Sequence, residues 1–367
     1  MSEWKSFSLG DVATFRNGRK RPLATGDIPV YGGNGILSYT NQFNFNNCVV
    51  IGRVGAYCGN VFLAKKYCWV SDNAIATLPK ESVNTYFLFY LLKSLRLNTH
   101  SIGSGQPLLT QGILNELKIT CPSLDTQKKI AAVLSALDDK IELNNAINRN
   151  LEAQAQAIYK NMFVNKFKIG SIGDYCKVKS GYAFKSKWWQ SKGIRVIKIG
   201  SINQDELNLM ECSFVSEDKL ELASNFVVSA GDLVIAMTGA TIGKFTFVPR
   251  IDEVLLVNQR VGKFFLGDEP IQRLPFIYCT LKQDSVYSKL INKGQGSAQP
   301  NISPQDIMSI PCIMPSNVEI EKFNKVTLPF FETMSENHFG NKKFGELRDT
   351  LLPRLMSGEI DVSEVEI

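Results

Sequence analysis

The chain repeats itself once, and this constrains its fold more than any other feature of its 367 residues. Leu9-Gly10-Asp11 followed by Gly18 returns as Ile172-Gly173-Asp174 followed by Gly181, an offset of 163. Gly55-Ala56-x-x-Gly59 returns as Gly239-Ala240-x-x-Gly243, an offset of 184. Gly103-Ser104-Gly105-Gln106-Pro107 returns as Gly296-Ser297-Ala298-Gln299-Pro300, an offset of 193 that then holds through Pro122 and Pro315 and beyond. A period this long belongs to duplicated domains rather than to a solenoid. An offset that grows within each half and becomes constant at its end describes a domain with variable loops followed by a fixed module.

The fixed module has a helical period. Ile130, Leu134, Leu137, Ile141, Asn144, Asn148, Leu151, Ala155, Ile158 and Met162 recur every three or four residues, a heptad seam with a polar break at its centre. The second copy runs Phe323, Thr327, Phe330, Met334, Asn337, Asn341, Phe344, Arg348, Leu351 and Leu355, matching less well at Thr327 and Arg348. Both central asparagines recur. Each module predicts a rod of roughly 57 Å at the α-helical rise. Two such helices in one chain can bury their seams on each other. Asn144, Asn148, Asn337 and Asn341 would then fix the register at some cost in stability; the other reading is a solvated bend. Ser123 with Asp125, and Ser316 with Asn317, are start signals, and Gly358 is a stop.

The intervening segments read differently. Short apolar runs such as Cys48–Ile51, Val61–Leu63, Leu233–Ile235 and Val254–Val257, punctuated by glycine and asparagine, predict strands. Helices are expected near Thr85–Lys93 and Pro275–Asp284. The chain is therefore expected to be α+β, with two pseudo-repeated mixed α/β domains joined by two long helices. The expected division is a first domain over 1–123, a central helix over 124–163, a second domain over 164–316, and a helix with tail over 317–367.

Catalytic motifs are missing from the sequence. Gly239-Ala240-Thr241-Ile242-Gly243-Lys244-Phe245 is the nearest approach to a phosphate-binding loop. It is one residue short and has phenylalanine where a hydroxyl belongs, so it and Gly55–Gly59 read as tight turns. Gly32-Gly33-Asn34-Gly35 is likewise a turn. No Asn/Asp-Pro-Pro-aromatic tetrapeptide is present. Asp138-Asp139-Lys140 and Glu217-Asp218-Lys219 have the letters of a nuclease site without a partner carboxylate. With two histidines, and eight cysteines that form no C-x-x-C pair, no metal and no cofactor is expected. The thiols read as free and buried. No apolar run is long enough to span a membrane and the N-terminus lacks a signal-peptide core, so a cytoplasmic location is expected.

The net charge of +6 is unevenly placed. It is +6 over 1–123, zero over 124–162, +4 over 163–316 and −4 over 317–367. Excess cation on the two domains suits a duplex nucleic acid, whose phosphates supply sequence-independent affinity. Basic and amide residues cluster after the first repeat motif, at Arg16, Asn17, Arg19 and Lys20. The second half answers with Lys179, Lys185 and Lys187 beside Trp188 and Trp189. Arginine and lysine can contact phosphate or guanine, and asparagine and glutamine can pair with adenine. Arg53 and Lys244 at the glycine turns, and Gln106 and Gln299 before their prolines, complete the candidates for DNA contact. The alternatives are a solvated basic loop, a packed aromatic corner at Trp188 and Trp189, and turn-capping glutamines.

Four stretches carry a family resemblance: LGDVATFRNGRKRP at the start, IPVYGGNGI, the block GSGQPLLTQGILNELKITCPSLDTQKKIAAVLSALDDKIELNN, and the terminal LRDTLLPRLMSGEI. Together they resemble type I restriction-modification specificity subunits over nearly the whole chain. The second copy departs where Asn317-Val318-Glu319-Ile320 replaces Leu124-Asp125-Thr126-Gln127. The resemblance implies a non-catalytic subunit with two target recognition domains, each reading one half of a bipartite double-stranded DNA target. It also implies antiparallel spacer helices that bind two modification (methyltransferase) subunits, which a restriction subunit can join. The competing reading is a stand-alone DNA-binding scaffold without methylation partners.

Overall fold

The computed structural model describes residues 4–103, 105–163, 168–294 and 300–365. The chain separates into two compact units, Met1–Lys140 with Phe344–Ile367, and Ile141–Lys343. The boundary falls inside both long helices, Leu124–Phe163 and Asn317–Met356, so each unit holds a sheet domain and part of each helix.

The main sheet of the first unit has six strands: β1 (Ala13–Asn17), β2 (Ile28–Gly32), β3 (Gly35–Thr40), β4 (Phe45–Gly52), β5 (Val61–Val70) and β6 (Ala74–Pro79), in the order β1-β6-β4-β5-β2-β3. The alternation of a strand sorts β4 between two cores. Val49 and Ile51 face the helix Thr85–Ser94, whose Phe87, Leu88 and Leu91 are buried, while Cys48 and Val50 join Val70, Ala74 and Ala76 on the other side. Asn84 caps that helix by accepting the N–H of Phe87 at 3.0 Å. Ile130 and Leu134 of the first long helix and Leu355 of the second close the core. Arg348, the poor match to the heptad, has a partner here: it donates to Asp138 at 2.5 Å, and Asp138 also accepts the Tyr90 hydroxyl at 2.6 Å.

In the second unit the corresponding strands are β7 (Lys177–Ser180), β8 (Trp189–Gln190), β9 (Ile194–Ile197), β10 (Ser213–Val215), β11 (Val227–Val228), β12 (Leu233–Ala236), β13 (Phe245–Phe247), β14 (Leu255–Val257) and β15 (Val261–Phe265). They form two sheets, ordered β7-β15-β12-β13 and β8-β10-β9-β14-β11. The split has a local cause. The continuous ten-residue β5 is represented here by two strands, β13 and β14, with Pro249 in the seven residues between them. Proline cannot donate to a ladder. The intervening loop instead docks on the second long helix, where the Arg250 N–H donates to Ser335 Oγ at 2.7 Å and Lys342 pairs with Glu253 at 2.9 Å. This insertion is one source of the growing repeat offset.

The helix expected from Pro275 begins at Pro270 and ends at Leu281, with Pro275 inside it. Proline suits a first turn, and Pro270 takes that position. Just after Pro275, the Phe276 N–H donates to Asn324 Oδ1 at 2.9 Å. A further helix, Asp284–Gly294, follows.

The long helices pair antiparallel in this unit through their asparagines. Asn144 Nδ2 donates to Asn341 Oδ1 at 2.8 Å, and Asn337 Nδ2 donates to Asn148 Oδ1 at 2.7 Å. Asn341 Nδ2 also reaches Asn145 Oδ1 at 2.9 Å. Thr327, the other poor heptad match, is buried and returns its hydroxyl to the Phe323 carbonyl at 2.8 Å. The two helices start as their sequences suggest: Thr126 N–H donates to Ser123 Oγ, and Ser316 forms a reciprocal cap with Glu319.

His338 lies half-buried on the second long helix, edge-on to Phe247 at 5.9 Å. Burial pushes its pKa down from the ordinary value. The unfolded chain takes up a proton below about pH 6.5 that the folded chain resists. Stability is therefore complete above that pH and falls as the solution is acidified. The urea midpoint should drop between pH 7 and pH 5.5, and His338→Gln should flatten part of that drop. An identical slope in the variant would exclude the assignment.

Candidate nucleic-acid interface

The two glycine turns are built alike. Gly55–Tyr57 and Gly239–Thr241 are single 3₁₀ turns linking β4 to β5 and β12 to β13. Gly55 and Gly239 have φ of +71° and +75°, where a side chain would strain the backbone. Each turn receives the proline of the third repeat motif: the Gly55 N–H donates to the Pro107 carbonyl at 2.9 Å and the Gly239 N–H to Pro300 at 3.3 Å. Leu109 N–H then donates to the Arg53 carbonyl and Ile302 N–H to Met237, both at 2.9 Å. Two motifs about fifty to sixty residues apart in sequence thus form one structure in each unit.

A third connection joins them. Ser71–Ala74, between β5 and β6, is a β-turn closed by the Ala74 N–H on the Ser71 carbonyl at 3.0 Å. Asn258–Val261, between β14 and β15, closes in the same way at 2.9 Å. In both, the third residue's carbonyl accepts from the residue preceding the glycine turn by two: Arg53 N–H to Asn73 and Met237 N–H to Arg260, each at 3.0 Å. In both, the fourth residue's carbonyl accepts from the glycine of the first repeat motif, Gly18 at 3.1 Å and Gly181 at 3.0 Å. A Cβ on Gly18 would lie 2.0 Å from the Ser71 carbonyl oxygen, so only glycine fits.

A fourth loop closes the cluster. Ser71 N–H donates to Tyr31 at 2.8 Å and Asn258 N–H to Ile197 at 3.0 Å. This makes Gly32–Gly35 the counterpart of Lys198–Ser201, an equivalence hidden in sequence because IPVYGGNGI and IRVIKIGSI share few letters. In the second unit the Thr241 hydroxyl donates to the Ile199 carbonyl at 3.2 Å.

The candidate residues distribute over this frame as follows. Arg16 and Lys179 are exposed and occupy equivalent ladder positions, opposite Ala76 and Lys263. Arg19, Lys20 and Gln106 are exposed; Arg53 is half-buried and its Nε has no hydrogen-bond partner among the described residues. Lys244 is half-buried beside the second glycine turn, but Arg53 and Lys244 are not equivalent, since Met237 holds the place of Arg53. Lys185 and Lys187 are exposed on the aromatic corner, where Lys185 and Lys219 lie over the Trp188 ring at 5.4 and 5.1 Å, and Lys198 over Trp189 at 3.8 Å. Trp188 and Trp189 pack against Phe184, Val196 and Val215, a small core from which the lysines project. Gln299 lies outside the described residues.

Sequence reading passed over Asp72, Asn73, Gln259 and Arg260, the exposed central residues of the two β-turns. The signal available was slight, a valine before each turn at an offset of 187. Elsewhere the thiols are those of a packed interior. All eight cysteines are free and buried, and burial pushes Cys121 up to about 11 and Cys176 and Cys312 to about 12, so they stay protonated. Among the described residues no group of His, Cys, Asp or Glu could hold a metal ion, and no helix is long and apolar enough to cross a membrane.

A duplicated α/β unit that presents basic and amide side chains on the same loop frame twice defines a duplicated binding scaffold. Comparison with known proteins identifies which one. A family model, the type I restriction modification DNA specificity domain, matches residues 1–153 and 165–337. The chain is 25% identical to the type I restriction enzyme MjaVIII specificity subunit of Methanocaldococcus jannaschii over 99% of its own length and 94% of the relative's. It is 26% identical to the HindI specificity subunit of Haemophilus influenzae over 82% of each chain. The fold matches the crystal structure of a type I restriction-modification system S subunit from M. genitalium, with a TM-score of 0.62 and 18% identity over 96% of both chains. The chain belongs to the type I restriction-modification specificity subunits, the non-catalytic DNA-recognition members of these systems.

Proposed function

We propose that this subunit reads a bipartite duplex target, one half-site to each unit, through the loop cluster just described. The recognition segments are 1–123 and 164–316. Arg16, Arg19, Lys20, Arg53, Gln106, Lys179, Lys185, Lys187, Lys244 and Gln299 supply its DNA contacts, and the helices over 124–163 and 317–367 hold two modification subunits in register through Asn144, Asn148, Asn337 and Asn341. A restriction subunit can join that assembly, which works in the cytoplasm. The observation that carries this reading is the repetition of one hydrogen-bonded loop frame with different side chains on it. A repeated frame presents the side chains, and their differences allow two different half-sites.

The test is selection from a random duplex pool at moderate salt, using the chain with its modification subunit. Two short sequences at a fixed separation should be enriched. Sequence-independent retention that falls steeply with salt would leave only phosphate attraction and refute the reading. Co-purification of a partner bearing the Pro-Pro-aromatic motif should accompany the first outcome; a chain that binds its target alone would favour a stand-alone scaffold.

A further inference from the structure

We propose that the central pair of the β-turn is the principal base-reading slot of each unit, with Arg260 selecting guanine in the half-site of the second unit and Asn73 selecting adenine in that of the first. The inference rests on the DNA-reading function proposed above and assigns letters to it.

The turn is held from three sides in both units. Its first N–H donates to the loop before it (Tyr31 or Ile197), its third carbonyl accepts from Arg53 or Met237, and its fourth accepts from Gly18 or Gly181. A backbone fixed at this many points presents side chains at a reproducible place, which base recognition requires. The two turns have the same length and closing bond, yet their central pairs share no residue: Asp72-Asn73 in one, Gln259-Arg260 in the other. All four residues are exposed. Asn73 and Arg260 stand at the same turn position, and the side chain of neither hydrogen-bonds within the described residues.

Their chemistry separates them. A guanidinium presents a fork of donors that matches the O6 and N7 acceptors of guanine in the major groove. A carboxamide presents a donor and an acceptor that match N7 and N6 of adenine. Asp72 has only acceptors and suits the N4 amino group of cytosine, whereas Gln259 suits adenine. One slot thus carries an amide and a carboxylate in the first unit, and a cation and an amide in the second. Of the other exposed cations, Arg16 and Lys179 stand on the first strand of each sheet domain, Arg19 and Lys20 on the basic loop, and Lys185 and Lys187 on the aromatic corner, where Lys185 lies over an indole ring.

The test compares wild type, Arg260→Asn, Arg260→Lys and Asn73→Arg, each with the modification subunit, by selection from the same random duplex pool. Wild type should enrich guanine at one position of one half-site. Arg260→Asn should lose that preference by roughly 5- to 150-fold, the range for one bidentate contact, with the other half-site unchanged. Arg260→Lys, which keeps the charge without the fork, should retain overall affinity and lose discrimination. Asn73→Arg should change one position of the opposite half-site. A bipartite wild-type target that all three variants reproduce would overturn this inference alone. So would a loss in Arg260→Asn that is uniform across sequences and spared in Arg260→Lys, since that describes a phosphate contact. A wild-type pool without bipartite enrichment would overturn the functional reading and this inference together.

Discussion

Lys263→Met should destabilise the second unit by about 3–5 kcal/mol, the cost of leaving a buried charge without its partner. Lys263 Nζ lies 2.8 Å from Asp232, whose side chain is only 2% exposed, and it also donates to the Val227 carbonyl at 2.7 Å. Burial raises the pKa of Asp232, and the Lys263 charge opposes that rise. Without the lysine the carboxyl protonates more readily in the folded state. A folded-state pKa raised above the unfolded value gives stability that is present at low pH and lost as pH rises through it. The penalty of the variant should therefore be greatest at pH 7 and shrink on acidification. Urea unfolding at pH 7 and pH 5 measures both. Asp232→Asn combined with Lys263→Met should recover most of the loss, because the Ser229 N–H, which donates to Asp232 at 2.8 Å, keeps an acceptor. Equal stability of wild type and Lys263→Met would show that the ion pair contributes nothing.

Phe323→Ala should cost a similar amount, about 3–5 kcal/mol, for a different reason. Phe323 is wholly buried, and its ring lies 5.7 Å from Tyr159 and 5.4 Å from Phe163. Tyr159 and Phe163 in turn lie 5.9 and 5.7 Å from Phe276. This cluster joins both long helices to the helix Pro270–Leu281, so truncation opens a cavity among packed rings. Hydrogen exchange should rise in 270–281 and in the second long helix, with a lower denaturant midpoint. A loss below about 1 kcal/mol would mean that the neighbouring rings collapse into the space.

Phe323 also marks how far the sequence could be read. It was legible as a seam residue because a helix places every third or fourth residue on one face, whatever the helix packs against. Both long helices lie where periodicity put them, and the strands at Cys48–Ile51 and Leu233–Ile235 and the helix at Thr85–Ser94 where their apolar runs did. The two departures from the heptad were legible as departures, while their causes were not. Asp138, which pairs with Arg348, is 210 residues away in the chain.

The candidate site divides in the same way. Glycines 55 and 239 announced themselves, because positive φ is a local demand that favours one residue type. The β-turns did not, because their central residues are ordinary polar ones and their likeness lies in the hydrogen bonds their backbones receive from distant loops. The equivalence of Gly32–Gly35 with Lys198–Ser201 was hidden for the same reason. Its evidence is the N–H of Ser71 or Asn258 reaching the strand before the loop.

By itself, then, the sequence determined the duplication, the long helices, the main apolar strands and the sites where the backbone must bend, all consequences of short-range sterics and periodic burial. Only the tertiary structure decided which loops meet, which polar side chains are consumed in holding them and which remain exposed. Those outcomes depend on hydrogen bonds between residues far apart in the chain, and such bonds join backbone atoms that every residue type shares.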